Sequence, residues 1–302
     1  MIPERKSLDA TSIATLVLLC SLWGIQQTIL KATAADMSPT LQIGLRSGIG
    51  CVLLAVMMKF QGTSLALQRG PWLAGLFAGA LFAAEFLFIG EGLKRTTASH
   101  MVVFLNTAPI FTALGLHLRI PEERLGWIQW LGVATCFSGI AIAFLGGIWN
   151  GPFDATLLWG DLLGVLAGAS WGGTTVIIRC SKLSNIPATQ TTLYQLLCAF
   201  FAVTLFSIML GEHHVRWTPV LAASVIGQGI VISFFSLVTW FWLMTRYLAS
   251  RLVVFTFLTP LLGVGFGVWL LGEPLTAEFI WGAVLVLTGV IVVNAAPRRS
   301  VR

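Results

Sequence analysis

The stretch RTTASHMVVF at residues 95–104 recurs as RYLASRLVVF at residues 246–255, an offset of 151 residues. The alignment continues to Pro109 and Pro260 and then, with one residue removed, pairs Glu123 with Glu273, Gly132 with Gly282 and Gly139 with Gly289. Upstream, SLWG at residues 21–24 resembles SWG at residues 170–172, so that Trp23 matches Trp171. Ordered agreement along most of the chain indicates two related halves, residues 1–150 and 151–302.

The composition is that of a membrane protein. Of the 302 residues, 57% are hydrophobic and only 10% are charged, and the mean hydropathy is +0.88. A water-soluble domain carries about 25% charged residues, so a soluble enzyme, a nucleic-acid-binding domain and a disordered chain are all disfavoured. A helix that crosses a bilayer needs about 20 apolar residues. An all-α polytopic membrane protein with ten transmembrane helices is predicted by apolar stretches at about 11–32, 38–59, 71–92, 97–118, 126–145, 159–181, 187–210, 219–243, 250–270 and 277–294.

The charges predict the orientation. Although the net charge is +6, the basic residues are scattered between apolar runs, which does not indicate a nucleic-acid partner. Thirteen of the 18 Lys and Arg residues fall near helix ends on the side of the N-terminus, whereas Lys31, Lys94, Arg95 and Arg216 fall on the other. Because basic residues concentrate on the cytoplasmic side, we expect both termini to be cytoplasmic, in a bacterial inner (plasma) membrane.

Each half contains an odd number of predicted helices, five, so the second half is inverted in the membrane relative to the first. Inverted repeats are typical of secondary transporters, whose substrate site lies in a central cavity between the repeats. The motifs at 95–109 and 246–260, the glutamate after each, and the WG in the first helix of each half resemble the EamA family of the drug/metabolite transporter superfamily. The resemblance implies ten helices in two five-helix repeats. Within the superfamily the chain looks most like bacterial exporters of aromatic amino acids.

Two ionisable residues lie deep within predicted spans. Arg46 is about 12 Å, and Glu85 about 10 Å, from the non-cytoplasmic end of its helix, at 1.5 Å per residue. Buried charges in a membrane normally face a partner or a cavity. The two residues therefore pair, or line a vestibule that recognises a zwitterion. A purely structural ion pair is the equally weighted alternative.

Several other side chains are candidate substrate ligands. Trp23 and Trp171 lie near the middle of their helices, where each indole N–H needs a partner; packing within each repeat is the alternative. Polar groups in central helices must find partners in the bilayer core, and some of them should line the cavity. These groups are Gln26, Asn106, Tyr194, Gln195, Gln228 and Ser233.

Prolines and charges near the helix ends complete the predictions. Pro109 and Pro260 lie mid-helix, one per half, and are candidate hinges; simple accommodation by neighbouring helices is the alternative. We expect Glu91 to pair with Lys94 and Arg95, and Glu123 and Glu273 to complement the dipole of the last helix of each half. His100 could take part in proton coupling; the more ordinary interpretation is a histidine that lies at the membrane interface. The five cysteines have no metal-site spacing, and we expect no metal or other cofactor.

The sequence as a whole favours a transporter that moves a neutral or zwitterionic amphiphile. The family likeness implies that the substrates are amino acids, aromatic ones in particular, and that they are moved outward by alternating access. Export of drugs or other metabolites is the alternative, followed by a solute channel. No catalytic motif is present, so no enzyme is expected. The sequence leaves open whether protons are a second partner. Glu85 is the only carboxylate deep in a predicted span that could bind one.

Overall fold

The computed structural model describes residues 9–63, 71–120, 125–149, 154–212, 214–246, 256 and 258–295. Within these ranges the chain forms helices and their connections, without strands. The α-helices are α1 (Ala10–Ala32), α2 (Pro39–Phe60), α3 (Trp72–Leu93), α4 (Ala98–Leu105), α5 (Ala108–Arg119), α6 (Trp127–Trp149), α7 (Ala155–Cys180), α8 (Ala188–Met209), α9 (Pro219–Gly227), α10 (Leu237–Arg246), α11 (Leu258–Leu271) and α12 (Ala277–Ala295). A 3₁₀ turn spans Lys182–Asn185, and a π-helix spans Gln228–Ser236.

Seven helical segments of the described chain are long and apolar enough to cross a membrane, with α4 and α5 counted together and α9 counted with the π-helix and the start of α10. Three shorter apolar helices lie within α6, α11 and α12. Each predicted apolar stretch overlaps one of these segments, so the prediction of an all-helical membrane protein is confirmed. In the predicted ninth span, residues 250–255 and 257 lie outside the described residues.

The helix ends follow from local sequence. Asp9 and Ser12 form a capping box at the start of α1. Ser38 and Thr218 cap α2 and α9, and each is followed by a proline at the first helical position, where a missing N–H costs nothing. Several tryptophans at or near helix ends have exposed side chains, as expected for rings at a membrane interface: Trp72, Trp127, Trp217, Trp269 and Trp281.

The closest helix contacts recur with the two halves exchanged. On α6, a Cβ at Gly139 would lie 2.6 Å from the oxygen of Gly282 and 2.7 Å from the nitrogen of Val286 on α12. On α12, a Cβ at Gly289 would lie 2.5 Å from the oxygen of Gly132 and 2.5 Å from the nitrogen of Cys136 on α6. Gly282 and Gly289 are the residues that the sequence alignment pairs with Gly132 and Gly139. The α6–α12 contact is therefore reciprocal.

A second pair of contacts follows the same rule. A Cβ at Gly24 on α1 would lie 3.1 Å from the oxygen of Thr259 and 2.9 Å from the nitrogen of Gly263 on α11. A Cβ at Gly172 on α7 would lie 2.9 Å from both the oxygen of Ala108 and the nitrogen of Thr112 on α5. Ala108 and Thr112 precede Thr259 and Gly263 by 151 residues, the offset of the repeat. In both pairs of contacts, backbone packs on backbone, which any side chain would prevent.

Two helical segments are irregular. The predicted fourth span is divided at Asn106 and Thr107, between α4 and α5. Pro109 is the second residue of α5, and Pro260 is the third residue described for α11, so neither interrupts a described helix at its middle. For Pro109 this corrects the predicted mid-helix position: the residue lies in the first turn of α5, where the missing N–H has no intrahelical acceptor. Residues 250–255 and 257, ahead of α11, lie outside the described residues, so the mid-helix position of Pro260 stays a prediction. Whether the prolines act as hinges stays a prediction.

Candidate functional site

A polar cluster lies between helices of both halves, with Arg46 at its centre. Arg46 on α2 is 2% exposed, and its Nη1 donates to the Oε1 of Gln26 on α1 at 2.9 Å. The same nitrogen donates to the Oε1 of Gln228 at 2.8 Å. Gln228 is the first residue of the π-helix, and its Nε2 donates to the Oγ of Ser224 at 3.0 Å. Three helical segments are therefore joined at one guanidinium.

The helix α3 adds a carboxylate and an aromatic ring to this cluster. The guanidinium carbon of Arg46 lies 5.3 Å from the centre of the Phe86 ring, within the range of a cation–π interaction. Glu85 is 6% exposed and attracts Arg46 electrostatically. The hydrogen bonds of Arg46 nevertheless go to the two amides, which corrects the expectation of a direct ion pair. The amide oxygens of Gln26 and Gln228 occupy the positions around Nη1.

Both charged groups retain unused hydrogen-bonding capacity. Among the described residues, the Nε of Arg46 and the Oε2 of Glu85 are buried and have no hydrogen-bond partner. On α1, the Nε2 and Oε1 of Gln27 are also buried without a hydrogen-bond partner. Gln27 was not predicted as a ligand. A buried polar group without a partner costs about 1–3 kcal/mol, and a charged one costs more. The cluster is therefore suited to a polar ligand that supplies an acceptor to Arg46 and a donor to Glu85.

An aromatic group lies one helical turn from Gln26. The Nε1 of Trp23 donates to the Oγ of Ser236, the last residue of the π-helix, at 3.1 Å. The ring meets that of Trp240 on α10 edge-on, with the centroids 5.5 Å apart. Trp23 thus has the partner that its indole needs. Phe86, Ser236 and Trp240 were not predicted from the sequence, because no deep charge or repeated motif marks such contacts.

The remaining predicted ligands make other contacts. The side chain of Trp171 is 40% exposed. Asn106 donates to the carbonyl of Val102 within its own helix at 2.8 Å. Tyr194 lies against Gly75 on α3, and Ser233 lies against Gly50, one turn of α2 from Arg46. Gln195 is half-buried. The structure therefore brings together Gln26, Arg46, Glu85 and Gln228, with Trp23 and Ser233 one turn away.

A network of charges joins the helices at one end of the bundle, which we call the polar end: the ends of α1, α3, α8 and α11 and the starts of α2, α4, α7, α9 and α12. There Lys94 bridges Glu91 and Glu212, which follows α8. Arg95 pairs with Glu91 at 3.0 Å, which confirms the predicted pairing within the helix end. Thr40 on α2 donates to Glu91 at 2.9 Å. The network thus connects α2, α3 and α8.

Two further links cross the polar end. Arg216, ahead of α9, pairs with Asp36, ahead of α2, at 2.6 Å. Lys31 at the end of α1 donates to the carbonyls of Leu93 and Thr96 near the end of α3 and the start of α4. Both links join the first five predicted spans to one another or to the last five.

Glu273 does not act on the last helix, as its position in the sequence suggested. Its Oε1 accepts from the backbone N–H of Ala98 at 2.7 Å, and its Oε2 accepts from the N–H and hydroxyl of Ser99 at 2.9 and 2.6 Å. It therefore caps α4, in the other half of the chain. The reason is the turn at Gly272, with a φ of +65°, which directs the following carboxylate back along the bundle. Its predicted equivalent, Glu123, lies outside the described residues.

A buried acid that was not predicted lies beside His100. Asp161 on α7 is 1% exposed, and its oxygens lie 2.9 and 3.0 Å from the Nδ1 of His100 on α4. The hydroxyl of Thr96 also donates to Asp161. The imidazole stacks on Phe279 of α12, with the centroids 4.1 Å apart. His100 is therefore a largely buried, paired histidine. The sequence offered one signal for this pair, since Asp161 lies two residues inside the predicted span 159–181.

Metal-binding residues do not gather in the described ranges, where no three His, Cys, Asp or Glu side chains are grouped to hold an ion. None of the five cysteines, all of them among the described residues, forms a disulfide. Cys20, Cys51 and Cys136 are buried, Cys198 is partly buried, and Cys180 is exposed at the end of α7.

Comparisons with known proteins identify the family. The model of the EamA-like transporter family matches the chain twice, at residues 10–145 and 158–295. The chain is 24% identical to the uncharacterized transporter YoaV of Bacillus subtilis, over 89% of this chain and 91% of that protein. It is also 24% identical to a probable amino-acid metabolite efflux pump of Salmonella typhimurium, over 91% and 92%. A crystal structure with 20% identity shares the fold, with a TM-score of 0.65 over 94% of this chain and 97% of that one. The chain therefore belongs to the EamA-like transporter family and is an integral membrane transporter.

Proposed function

We propose that this protein exports small zwitterionic amphiphiles, amino acids with aromatic ones favoured, by alternating access around the Arg46 cluster. One observation carries the proposal: a buried cation and a buried anion, on helices that meet the second half of the chain, each keep an unpartnered polar atom. An α-amino acid supplies a carboxylate for Arg46 and an ammonium group for Glu85. Its net neutrality matches that of the pair, so that binding buries no uncompensated charge.

The substrate's carboxylate would compete with Gln26 and Gln228 for the guanidinium. Both amides accept from the same Nη1 of Arg46, so a carboxylate, which makes the stronger charge-assisted bond, would displace one or both. The displaced Gln228 belongs to the π-helix, and π-helical turns are frequent at functional sites. Binding at Arg46 would thereby act on the π-helix, which leads directly into α10 and Trp240.

The aromatic preference rests on the rings around the cluster. Phe86 lies beside the guanidinium, and Trp23 and Trp240 lie one or more turns away on α1 and α10. Aromatic side chains pack favourably on such rings at centroid distances of about 4.5–7 Å, for about 0.5–1.5 kcal/mol beyond area burial. The name of the Salmonella relative, an amino-acid metabolite efflux pump, supports the same substrate class.

In this proposal the chain forms ten spans in two inverted five-helix repeats, residues 1–150 and 151–302. Exchanging the arrangements of the two repeats provides the two access states. Gly139 and Gly289 make matching contacts across the α6–α12 interface. Gly24 of α1 packs on α11 and Gly172 of α7 packs on α5, again in matching contacts with the opposite halves, which supports an exchange relation between the halves. We place the polar end outside the cell and both termini in the cytoplasm of a bacterium, as the distribution of basic residues favours. Pro109, shortly after the break at Asn106, and Pro260 in α11 are the proposed bending points.

Counterflow in proteoliposomes tests the proposal. Vesicles loaded with unlabelled phenylalanine should accumulate labelled phenylalanine, and Arg46→Gln and Glu85→Gln should weaken apparent affinity about 10- to 100-fold, the value of one lost hydrogen bond to a charged group. Lys59→Gln, at the exposed end of the same helix as Arg46, is the matched control and should retain transport. Wild-type counterflow in both test variants would refute the role of the cluster. Flux that does not saturate would identify a channel, and transport of organic cations alone would identify a drug exporter.

A further inference from the structure

A second pair of ionisable groups lies at the polar end, separate from the Arg46 cluster. His100 is the third residue of α4, and Asp161 is the seventh residue of α7. The imidazole Nδ1 bridges both oxygens of the buried carboxylate, at 2.9 and 3.0 Å. The ring stacks on Phe279 with the planes 4° apart, which fixes its orientation. One hydrogen-bonded pair thus links α4 to α7, and its ring is held by α12.

The described surroundings of the pair contain few other charges. From the segment between α3 and α4, the hydroxyl of Thr96 donates to Asp161, and the Cβ of Arg95 lies against Gly160. From α1, the ammonium of Lys31 is bound to the carbonyl of Thr96. From the segment before α12, Glu273 caps α4 at Ala98 and Ser99, and on α12 itself Glu278 directly precedes Phe279 in sequence. Of the two side chains that contact Asp161 here, the imidazole of His100 has a second ring nitrogen that can accept a proton, whereas the hydroxyl of Thr96 has no such site.

We propose that His100 and Asp161 form a proton-binding site that holds the polar end closed, so that acid on that side favours the closed state. The inference rests on the proposed alternating access and adds a ligand, the proton, at a site of its own. The pair crosses from the fourth to the sixth predicted span, and in this proposal the state open at the polar end separates the two side chains.

The direction of the effect follows from linkage. With a neutral ring, Nδ1 donates to Asp161 and the buried pair carries one negative charge. When Nε2 takes up a proton, the pair becomes an ion pair without net charge, which a buried site tolerates better. In an open state His100 faces water without this partner. The closed state therefore binds the proton more tightly, and by linkage a proton shifts the population towards the closed state.

The test follows opening directly, without any substrate. Ala98, at the start of α4, is 1% exposed, and an Ala98→Cys variant reacts with a membrane-impermeant thiol reagent only when the polar end opens. Ala155→Cys, at the exposed start of α7, corrects for the effect of pH on thiol reactivity itself. Cys180, exposed at the other end of α7, is replaced by Ser in both proteins. The measured quantity is the ratio of the labelling rate at position 98 to that at position 155 in proteoliposomes, at an acidic and at a mildly alkaline external pH.

We expect the ratio to fall about threefold or more for a drop of about two pH units, since one proton can change a population by at most about tenfold per pH unit. His100→Gln and Asp161→Asn should each abolish the pH dependence, whereas His214→Gln, in an exposed connection, should keep it. A ratio that does not respond to pH in the otherwise unchanged protein, or one that responds equally in the His100→Gln and Asp161→Asn variants, would overturn the proposal. Because no solute is present, a failure of amino-acid transport leaves this result interpretable.

Discussion

Replacing Gly139 by Ala tests the reciprocal packing of α6 and α12. The added Cβ would lie 2.6 Å from the oxygen of Gly282 and 2.7 Å from the nitrogen of Val286, whereas ordinary contact begins at 3.4 Å. Both neighbours are backbone atoms, which no side-chain rotation can move away. The two helices must therefore separate by about 0.7–0.8 Å at this point, the difference between these distances. Overpacking of this kind costs about 1–3 kcal/mol.

The assay is the apparent Tm of the detergent-solubilised protein, read by the loss of monodisperse protein after heating. At about 2–4 °C per kcal/mol, Gly139→Ala should lower the Tm by about 2–12 °C. Gly265→Ala, on α11 with nothing within 4 Å of its Cβ, should leave the Tm unchanged or raise it slightly. Gly289→Ala should match Gly139→Ala, and the double variant should lose less than the sum, because helices already separated admit the second methyl group more easily. Equal Tm values for the Gly139 and Gly265 variants would refute the reasoning.

Three further predictions concern contacts of single side chains. Glu273→Ala should lower stability by about 2 kcal/mol, because it leaves the first N–H groups of α4 without an acceptor. Glu273→Gln keeps one acceptor and should lose less, and thermal unfolding of the two variants side by side measures the difference. Ser236→Ala should cost about 1 kcal/mol and change the tryptophan emission spectrum, since Trp23 loses its acceptor; the same substitution in a Trp23→Phe background should have little further effect, and an equal cost in both backgrounds would contradict the pairing. Lys94→Gln should cost at most about 1 kcal/mol, and the loss should shrink in high salt, because the ion pairs of Lys94 are partly exposed; a loss unaffected by salt would show that the bridge is not electrostatic.

The sequence was sufficient for the helices and for part of the site. Apolar length alone located the long described helices to within about four residues, because a bilayer imposes a fixed length on every crossing helix. Arg46 and Glu85 stood out for a related reason, since charges deep in a span are expensive and rare. Their similar depth placed them at one level of the bundle, where each is within the electrostatic reach of the other.

The partners of these residues could not be predicted in the same way. Whether the guanidinium of Arg46 bonds to Glu85 or to Gln26 and Gln228 depends on side-chain directions within a few ångströms, which the repeat does not encode. Asp161 was missed because it lies close to the helix start, where an acid is ordinary. Its importance follows only from its burial and from the approach of His100. The π-helix likewise has no counterpart in α3, the equivalent helix of the first half, so symmetry could not reveal it.

The α6–α12 seam also determines when the fold can be completed during synthesis. Of the described helices, α12 is the last to leave the ribosome, long after α6, on which it packs. Until then, the glycine face of α6 has only lipid as a neighbour, and lipid cannot follow a groove as closely as another backbone does. The bundle therefore cannot complete its packing until α12 has been synthesised, and a chain that ends before Ala277 lacks the helix that packs on the glycine face of α6.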